Sequence, residues 1–292
     1  MKIGVNGKEF TKQSASFVEQ VFEILKAHKA DLIISHKFHK TLSKYAPFKR
    51  FKLKVYEPGD SLKGLNLFLS MGGDGTLLES VTHIAKTEVP ILGINTGRLG
   101  FLATISREET ERALESIFDK KYSIEKRSML SLESNENLFE GFNFALNDFT
   151  LVKKDTSSMI TVHTYIDGEF LNSYWSDGII VATPTGSTGY SLSCGGPLVF
   201  PKSGNFVITP VSPHNLTVRP IVVSDQSEIT FQVEGRSKKF LVTLDSRIAT
   251  VDESVKLKIV KANQSVNLIQ LDNHHYFMTL RQKLNWGLDV RN

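Results

Sequence analysis

The sequence predicts an α/β domain followed by a mostly antiparallel β domain, and three observations predict it. Up to about residue 122, short apolar runs alternate with stretches whose apolar residues recur at helical spacing. From about 124 to 271 the helical period almost vanishes, and short alternating runs take its place. The 292 residues are too many for one small core and about right for two domains. The expected partition is 1–122 for the α/β domain and 123–272 for the β domain. A helical segment over 273–292 is expected to pack back on the first domain.

Each element follows from its residues. Ile3 to Val5 reads as a short strand, and Phe17, Val18, Val21, Phe22 and Leu25 form one helical face, with Ser14 or Ser16 as its cap. Residues 32–34 and 65–69 read as apolar strands, the second with Asn66 as its single polar residue, close to the pattern of a strand covered on both faces. Leu77, Leu78, Val81, Ile84 and Ala85 give another helical stripe, and residues 90–94 a further strand. Residues 106–119 read as a helix opened by a capping box of Ser106 and Glu109, with Ala113, Leu114, Ile117 and Phe118 buried. The β region follows as MLSLES, FNFALNDFTLV, ITVHTYI, ITFQVE, KFLVTL, VKLKIVKA and VNLIQL, and Asp167-Gly168 marks a tight hairpin. Helical spacing returns at Tyr276, Phe277, Leu280 and Leu284.

Composition narrows the function class. The chain is 40% hydrophobic and 23% charged, with 35 basic and 31 acidic residues, a balance ordinary for a soluble globular protein. No apolar run approaches the roughly 20 residues of a membrane span, and MKIGVNGKEF has no apolar signal core. The mild excess of +4 is not concentrated; FKRFKLK at 48–54 is the densest stretch and reads as a solvated face. No nucleic-acid or membrane partner is expected, while the bias suits small anions. The single Cys194 excludes a disulfide framework, reads as a small packing residue, and points to the cytoplasm. None of the eight histidines has zinc-protease spacing, and His274-His275 reads as a turn or interface pair.

Three segments carry chemistry. SMGGDGT at 70–76 places a glycine turn between an apolar strand and a helix, an arrangement whose free amides attract phosphate. It is neither a Walker A loop nor a G-x-G-x-x-G fingerprint. GINTGRLGFLA at 93–103 is a second glycine-punctuated turn, and SDGIIVATPTGSTGYSLSCGGP at 176–197 is rich in hydroxyls and glycines. Such a surface holds ribose, amide and phosphate groups by directional hydrogen bonds.

GGDGT, NTGRLGFLA, Asn147-Asp148 in LNDFTL, and SDGIIVATPTGSTGYSLSCGGP, in that order and spacing, resemble the NAD kinase family over nearly the whole chain. The resemblance implies an N-terminal α/β domain and a C-terminal β-sandwich that binds NAD. It implies transfer of the γ-phosphoryl of ATP to the 2′-hydroxyl of the adenosine ribose, with a magnesium-type divalent cation bridging phosphates. Asp74 is then the base that takes the hydroxyl proton, or the group that orients the ion. Gly72, Gly73 and Gly75 receive phosphoryl oxygens, and Asp74 and Gly75 touch NAD. Asn95 shapes the cleft. Asn147 and Asp148 hold the ribose and its neighbours, and Asp177 faces NAD. Thr188, Gly189, Tyr190, Ser191, Leu192 and Ser193 line the nicotinamide and ribose pocket. Ser158 and Arg247 match further binding positions. The family forms homodimers and homotetramers.

The chain departs from the family where Leu77 and Leu78 follow GGDGT and Trp175 stands two residues before Asp177, positions that often carry a basic residue. A phosphate contact is therefore missing or supplied by Arg98 or Arg247. Two other readings remain: a diacylglycerol or sphingosine-type lipid kinase, which shares GGDGT, and an NAD(P) sensor without turnover.

Overall fold

The computed structural model describes residues 1–97, 99–155, 158–272 and 275–287. Arg98 and His274, both singled out above, lie outside these residues. The chain forms two compact units, Met1–Lys126 with Val266–Asn292, and Arg127–Ser265.

The first unit opens with β1 (Lys2–Gly7), α1 (Lys12–Ala27), β2 (Asp31–Ser35), α2 (His36–Leu42), β3 (Lys54–Tyr56), β4 (Leu67–Met71), α3 (Asp74–Ile84), β5 (Ile91–Ile94) and α4 (Thr110–Phe118). β1 pairs in parallel with β2 and β4, β2 with β3, and β4 with β5. The order β3-β2-β1-β4-β5 therefore reverses direction at β1. In open α/β sheets ligands bind beyond the carboxyl ends of the strands at such a reversal. Here Gly7 and Met71 stand opposite each other at those ends, and the glycine turn begins one residue later.

The helices sit where apolar spacing puts them. α1 buries Phe17, Val18, Val21, Phe22 and Leu25, the predicted face. α3 buries Leu77, Val81 and Ile84, with Thr76 and Ser80 on the same side. The predicted helix at 106–119 is shorter. It starts at Thr110, because residues 107–109 form a turn, and Ser106 donates its backbone N–H to Glu109 Oε2 (3.1 Å) without capping the helix. α2 was not predicted; the Ser35 hydroxyl caps it by accepting from the Phe38 amide. Phe48 and Phe51 of the basic run pack on Phe22 with ring centroids 5.6 and 5.5 Å away, so part of that run anchors the core.

The chain continues through β6 (Tyr122–Ser134), β7 (Phe144–Ala145), β8 (Asp148–Lys153), β9 (Ile160–Ile166), β10 (Glu169–Ser176), β11 (Gly178–Ala182), the one-turn α5 (Tyr190–Ser193), β12 (Asn205–Val211), β13 (Ile221–Ser224), β14 (Ile229–Glu234), β15 (Lys239–Leu244), β16 (Arg247–Asp252) and β17 (Leu257–Leu271), ending with α6 (Tyr276–Leu284). One sheet of the second unit is wholly antiparallel in the order β13-β12-β11-β8-β15-β16, and β10-β9-β14 continue onto the first part of β17 in the other. Their inner faces share a core that includes Phe149, Val162, Ile179, Phe206, Phe231 and Phe240, with Phe149 stacked on Phe231 at 5.6 Å. This is a β-sandwich. The β9–β10 turn has Asp167 at φ 53° and Gly168 at φ 84°, the paired positive values that its Asp-Gly sequence predicts. VKLKIVKA and VNLIQL, read as two runs, are one strand, β17. The second part of β17 pairs with β5, and it belongs with α6 to the first unit. His275 caps α6 by accepting from the Met278 amide.

Candidate functional site

The glycine turn grows directly out of β4, all five residues of which are buried. The Gly72 amide donates to the Ile94 carbonyl (2.9 Å), tying the turn to β5. Gly73 precedes α3, and Asp74 is its first residue, where the helix dipole favours a carboxylate. A Cβ at Gly73 or Gly75 would meet nothing within 4 Å, so the backbone is open to approach at both. Near the turn, Asn6 Nδ2 donates to Ser80 Oγ (3.1 Å), and Ser35 Oγ donates to Asn6 Oδ1 (2.6 Å). Ser80 Oγ in turn donates to the Thr76 carbonyl (2.8 Å). This buried network joins the ends of β1 and β2 to α3. Sequence reasoning missed it, since single polar residues in apolar stretches carry no pattern.

Asp74 is not a free carboxylate. Oδ2 accepts from the Phe101 amide (2.7 Å), and Oδ1 accepts from Leu102 (3.0 Å) and Ala103 (2.9 Å). The NTGRLGFLA turn is thus a cradle for Asp74. A Cβ on Gly100 would lie 1.9 Å from Oδ1, so glycine is the residue that allows the approach. Asn95, nearly fully buried, shapes the loop: Nδ2 donates to the Ala103 carbonyl (3.3 Å), and Oδ1 accepts from the Gly97 amide (2.7 Å). Lys283 of α6 donates to the Leu99 carbonyl and lies 5.9 Å from the Phe101 ring centroid. Two carboxylate oxygens offer about four acceptor positions. Three are used among the described residues, leaving one on Oδ2.

In the second unit the stretch 146–148 is held from two sides. The Asn147 carbonyl accepts from the Thr183 amide (2.9 Å), and Thr183 Oγ1 donates to the Leu146 carbonyl (2.6 Å). A Cβ on Gly186 would lie 2.1 Å from that Asn147 carbonyl oxygen. From the other side, Asp245 accepts from the amides of Leu146, Asn147 and Asp148. Burial and the neighbouring Asp245 push Asp148 up to about 7. Its carboxyl makes no hydrogen bond among the described residues, and Asn147 Oδ1 is buried without one.

Many hydroxyls of TPTGSTGYSLS are spent internally. Ser187 Oγ donates to the Pro184 carbonyl (2.7 Å), Thr188 Oγ1 to the Thr185 carbonyl (3.2 Å), and Ser191 Oγ pairs with Thr209 Oγ1 (2.8 Å). Gly189 bonds back to the Gly186 carbonyl (2.8 Å), and Leu192 is half-buried. Tyr190 and Ser193 are exposed. Asp177 pairs with Lys153 (2.5 Å). Arg247 lies 4.0 Å from Asp245 and donates to the carbonyls of Phe142 and Phe144. Burial pulls its pKa down, against the pull of Asp245. Ser158 lines a separate open groove of about 1050 Å³ with Thr161, Trp175, Arg236 and Lys256, a lining that contains none of 147, 148 or 188–193. Trp175 is exposed, its ring 4.2 Å from His214. Cys194 packs beside Ile180, Ala182 and Val207, and burial pushes its thiol up.

No cluster of three or more His, Cys, Asp or Glu able to hold a metal occurs among the described residues. Magnesium, however, usually takes one or two carboxylates and completes its shell from substrate phosphates and water. One carboxylate beside open backbone amides fits an ion carried by a nucleotide. No helix is long and apolar enough to cross a membrane among the described residues.

The ATP-NAD kinase N-terminal domain matches residues 3–122, and the ATP-NAD kinase C-terminal domain matches residues 146–271. The chain is 49% identical to the NAD kinase of Cytophaga hutchinsonii and 44% identical to that of Flavobacterium psychrophilum, over the full length of each. An Archaeoglobus fulgidus NAD kinase solved in complex with ATP superposes with a TM-score of 0.75 at 26% identity, over 98% of this chain and 99% of that one. Yeast NADH kinase complexed with NADH shares the fold, with a TM-score of 0.87 at 20% identity over 100% of this chain and 89% of that one. The chain belongs to the NAD kinase family.

Proposed function

We propose that this protein is an NAD kinase, transferring the γ-phosphoryl of ATP to the 2′-hydroxyl of the adenosine ribose of NAD to give NADP and ADP. The observation that carries the reading is Asp74, held by three amides at the carboxyl end of a parallel strand, with one acceptor position left on Oδ2. As the ribose oxygen bonds to the γ-phosphorus, its proton passes to that position. The bond to the ADP oxygen breaks, and ADP leaves with the electron pair. A general base of this kind contributes typically about 10²–10⁴-fold. Gly73 and Gly75 are the proposed phosphate contacts; Gly72, expected to join them, is buried with its amide committed to the Ile94 carbonyl. A divalent ion, when bound with ATP, would neutralise developing charge on the phosphates.

NAD is proposed to be held by Asn147, Asp148, Asp177, Tyr190 and Ser193; Ser158, which lines the separate groove, and Arg247, engaged with the Phe142 and Phe144 carbonyls, are left out of this set. Thr188, Gly189, Ser191 and Leu192 set the shape of that surface. Full-length identity to named NAD kinases supports this over a lipid kinase, which shares the glycine turn alone. The reaction is placed in the cytoplasm, by a homodimer or homotetramer, for which sedimentation at micromolar concentration is the test.

The direct experiment supplies purified protein with ATP, magnesium and NAD, and couples the product to an NADP-specific dehydrogenase. A parallel arm supplies diacylglycerol. NADP formation is expected; phosphorylation of the lipid without NADP would overturn the reading.

A further inference from the structure

We propose that Asp245 is a positioning residue for NAD, its carboxyl group fixing the backbone of residues 146–148 and thereby the directions of the Asn147 and Asp148 side chains. This rests on the NAD kinase reading above.

Asp245 occupies the turn between β15 and β16 at φ 52°, a left-handed conformation that aspartate and asparagine tolerate better than most side chains. A hairpin turn does not need a buried acid; Asn-Gly would serve. Yet the side chain is only 4% exposed, and burial pushes its pKa upward. What offsets that cost is its set of partners. Oδ1 accepts from the amides of Asn147 (2.8 Å) and Asp148 (3.3 Å), and Oδ2 from Leu146 (3.0 Å). The Asp245 amide returns a bond to the Asp148 carbonyl (3.0 Å), closing the ring.

The next hairpin residue but one extends the hold. Arg247 donates to the Phe142 and Phe144 carbonyls, so one hairpin addresses the carbonyls at the start of this stretch and the amides at its end. Thr183 grips the same stretch through the Leu146 and Asn147 carbonyls. The side chains borne by this clamped backbone are the ones with unspent polar capacity: Asn147 Oδ1 is buried and unbonded, and the Asp148 carboxyl has no hydrogen bond among the described residues. A backbone held this firmly beneath two unused polar groups is arranged for a ligand.

The test compares Asp245→Asn and Asp245→Ala in NADP formation. Asparagine keeps the size, the tolerance of positive φ and the Oδ1 acceptor, and turns only the Leu146 partner from acceptor to donor. Asp245→Asn is expected to raise KM for NAD about 10-fold, leaving kcat and KM for ATP within about twofold, and Asp245→Ala to raise it further. A merely structural role would lower the active fraction, reducing kcat with both KM values unchanged, and that result overturns the proposal. So does an Asp245→Asn enzyme whose KM for NAD stays within about twofold of the wild type. If Asp245→Ala does not fold, Asp245→Asn decides. Wild-type protein that forms no NADP overturns the functional reading itself, and with it this one, before any variant is compared.

Discussion

Asp74 and Asp245 are built alike and put to different use. Each accepts from three consecutive backbone amides, 101–103 for Asp74 and 146–148 for Asp245. Asp74 is half-buried beside glycines whose backbone is open, and Oδ2 keeps an acceptor position. Asp245 is sealed, and a cation stands 4.0 Å away. In the roles proposed above, the same three bonds orient a reactive group in one unit and a piece of backbone in the other. Exposure decides which: a carboxylate without access to solvent or substrate can only hold its neighbours.

Breaking the first cradle has the largest expected effect. In Gly100→Ala the new methyl displaces Asp74 from its amides, so kcat should fall by about 10²-fold with little change in the NAD dissociation constant. An unchanged kcat would mean that the cradle does not set the working position of Asp74.

Asp148 sharpens the contrast on the second side. Its carboxyl is raised from 3.8 to about 7, so the native state binds more protons than the unfolded chain between these values. Stability from this group is present below pH about 4 and is lost as pH rises through about 7. Asp148→Asn removes that slope. Denaturant midpoints should show the variant gaining on the wild type from pH 5 to pH 8; a difference that stays constant across this range contradicts the assignment. The smallest effect is expected of Asn95→Ala, which removes the bonds to the Ala103 carbonyl and the Gly97 amide but leaves the amides around Asp74 in place. A loss of about fivefold in kcat, roughly 1 kcal/mol, is the expected result in steady-state assays.

Legibility in the sequence followed the range of the interaction. The stripe of α1, the run of β4 and the Asp167-Gly168 turn are set by residues within a few positions of one another, and all were readable. β17 was read as two runs because Asn263, Gln264 and Ser265 interrupt its apolar pattern, and pairing along its length overrides that local preference. α2 is short and mostly polar, and only its Ser35 cap signals it. At the site, the glycine turn announced Asp74, but not the amides 27 to 29 residues later that hold it. Asp245 was missed altogether. Its partners lie 97 to 99 residues earlier, and LDSRIAT by itself shows nothing beyond a turn. The hydroxyls of TPTGSTGYSLS looked like ligand contacts, and folding commits Ser187 and Ser191 to internal bonds instead.

The central claim is that Asp74 accepts the ribose proton, and Asp74→Asn tests it most directly. Asparagine keeps the shape and loses the basicity, so titration calorimetry should find NAD still bound while NADP formation falls by about 10²-fold or more. Full turnover in the Asp74→Asn protein would show that the proton goes elsewhere.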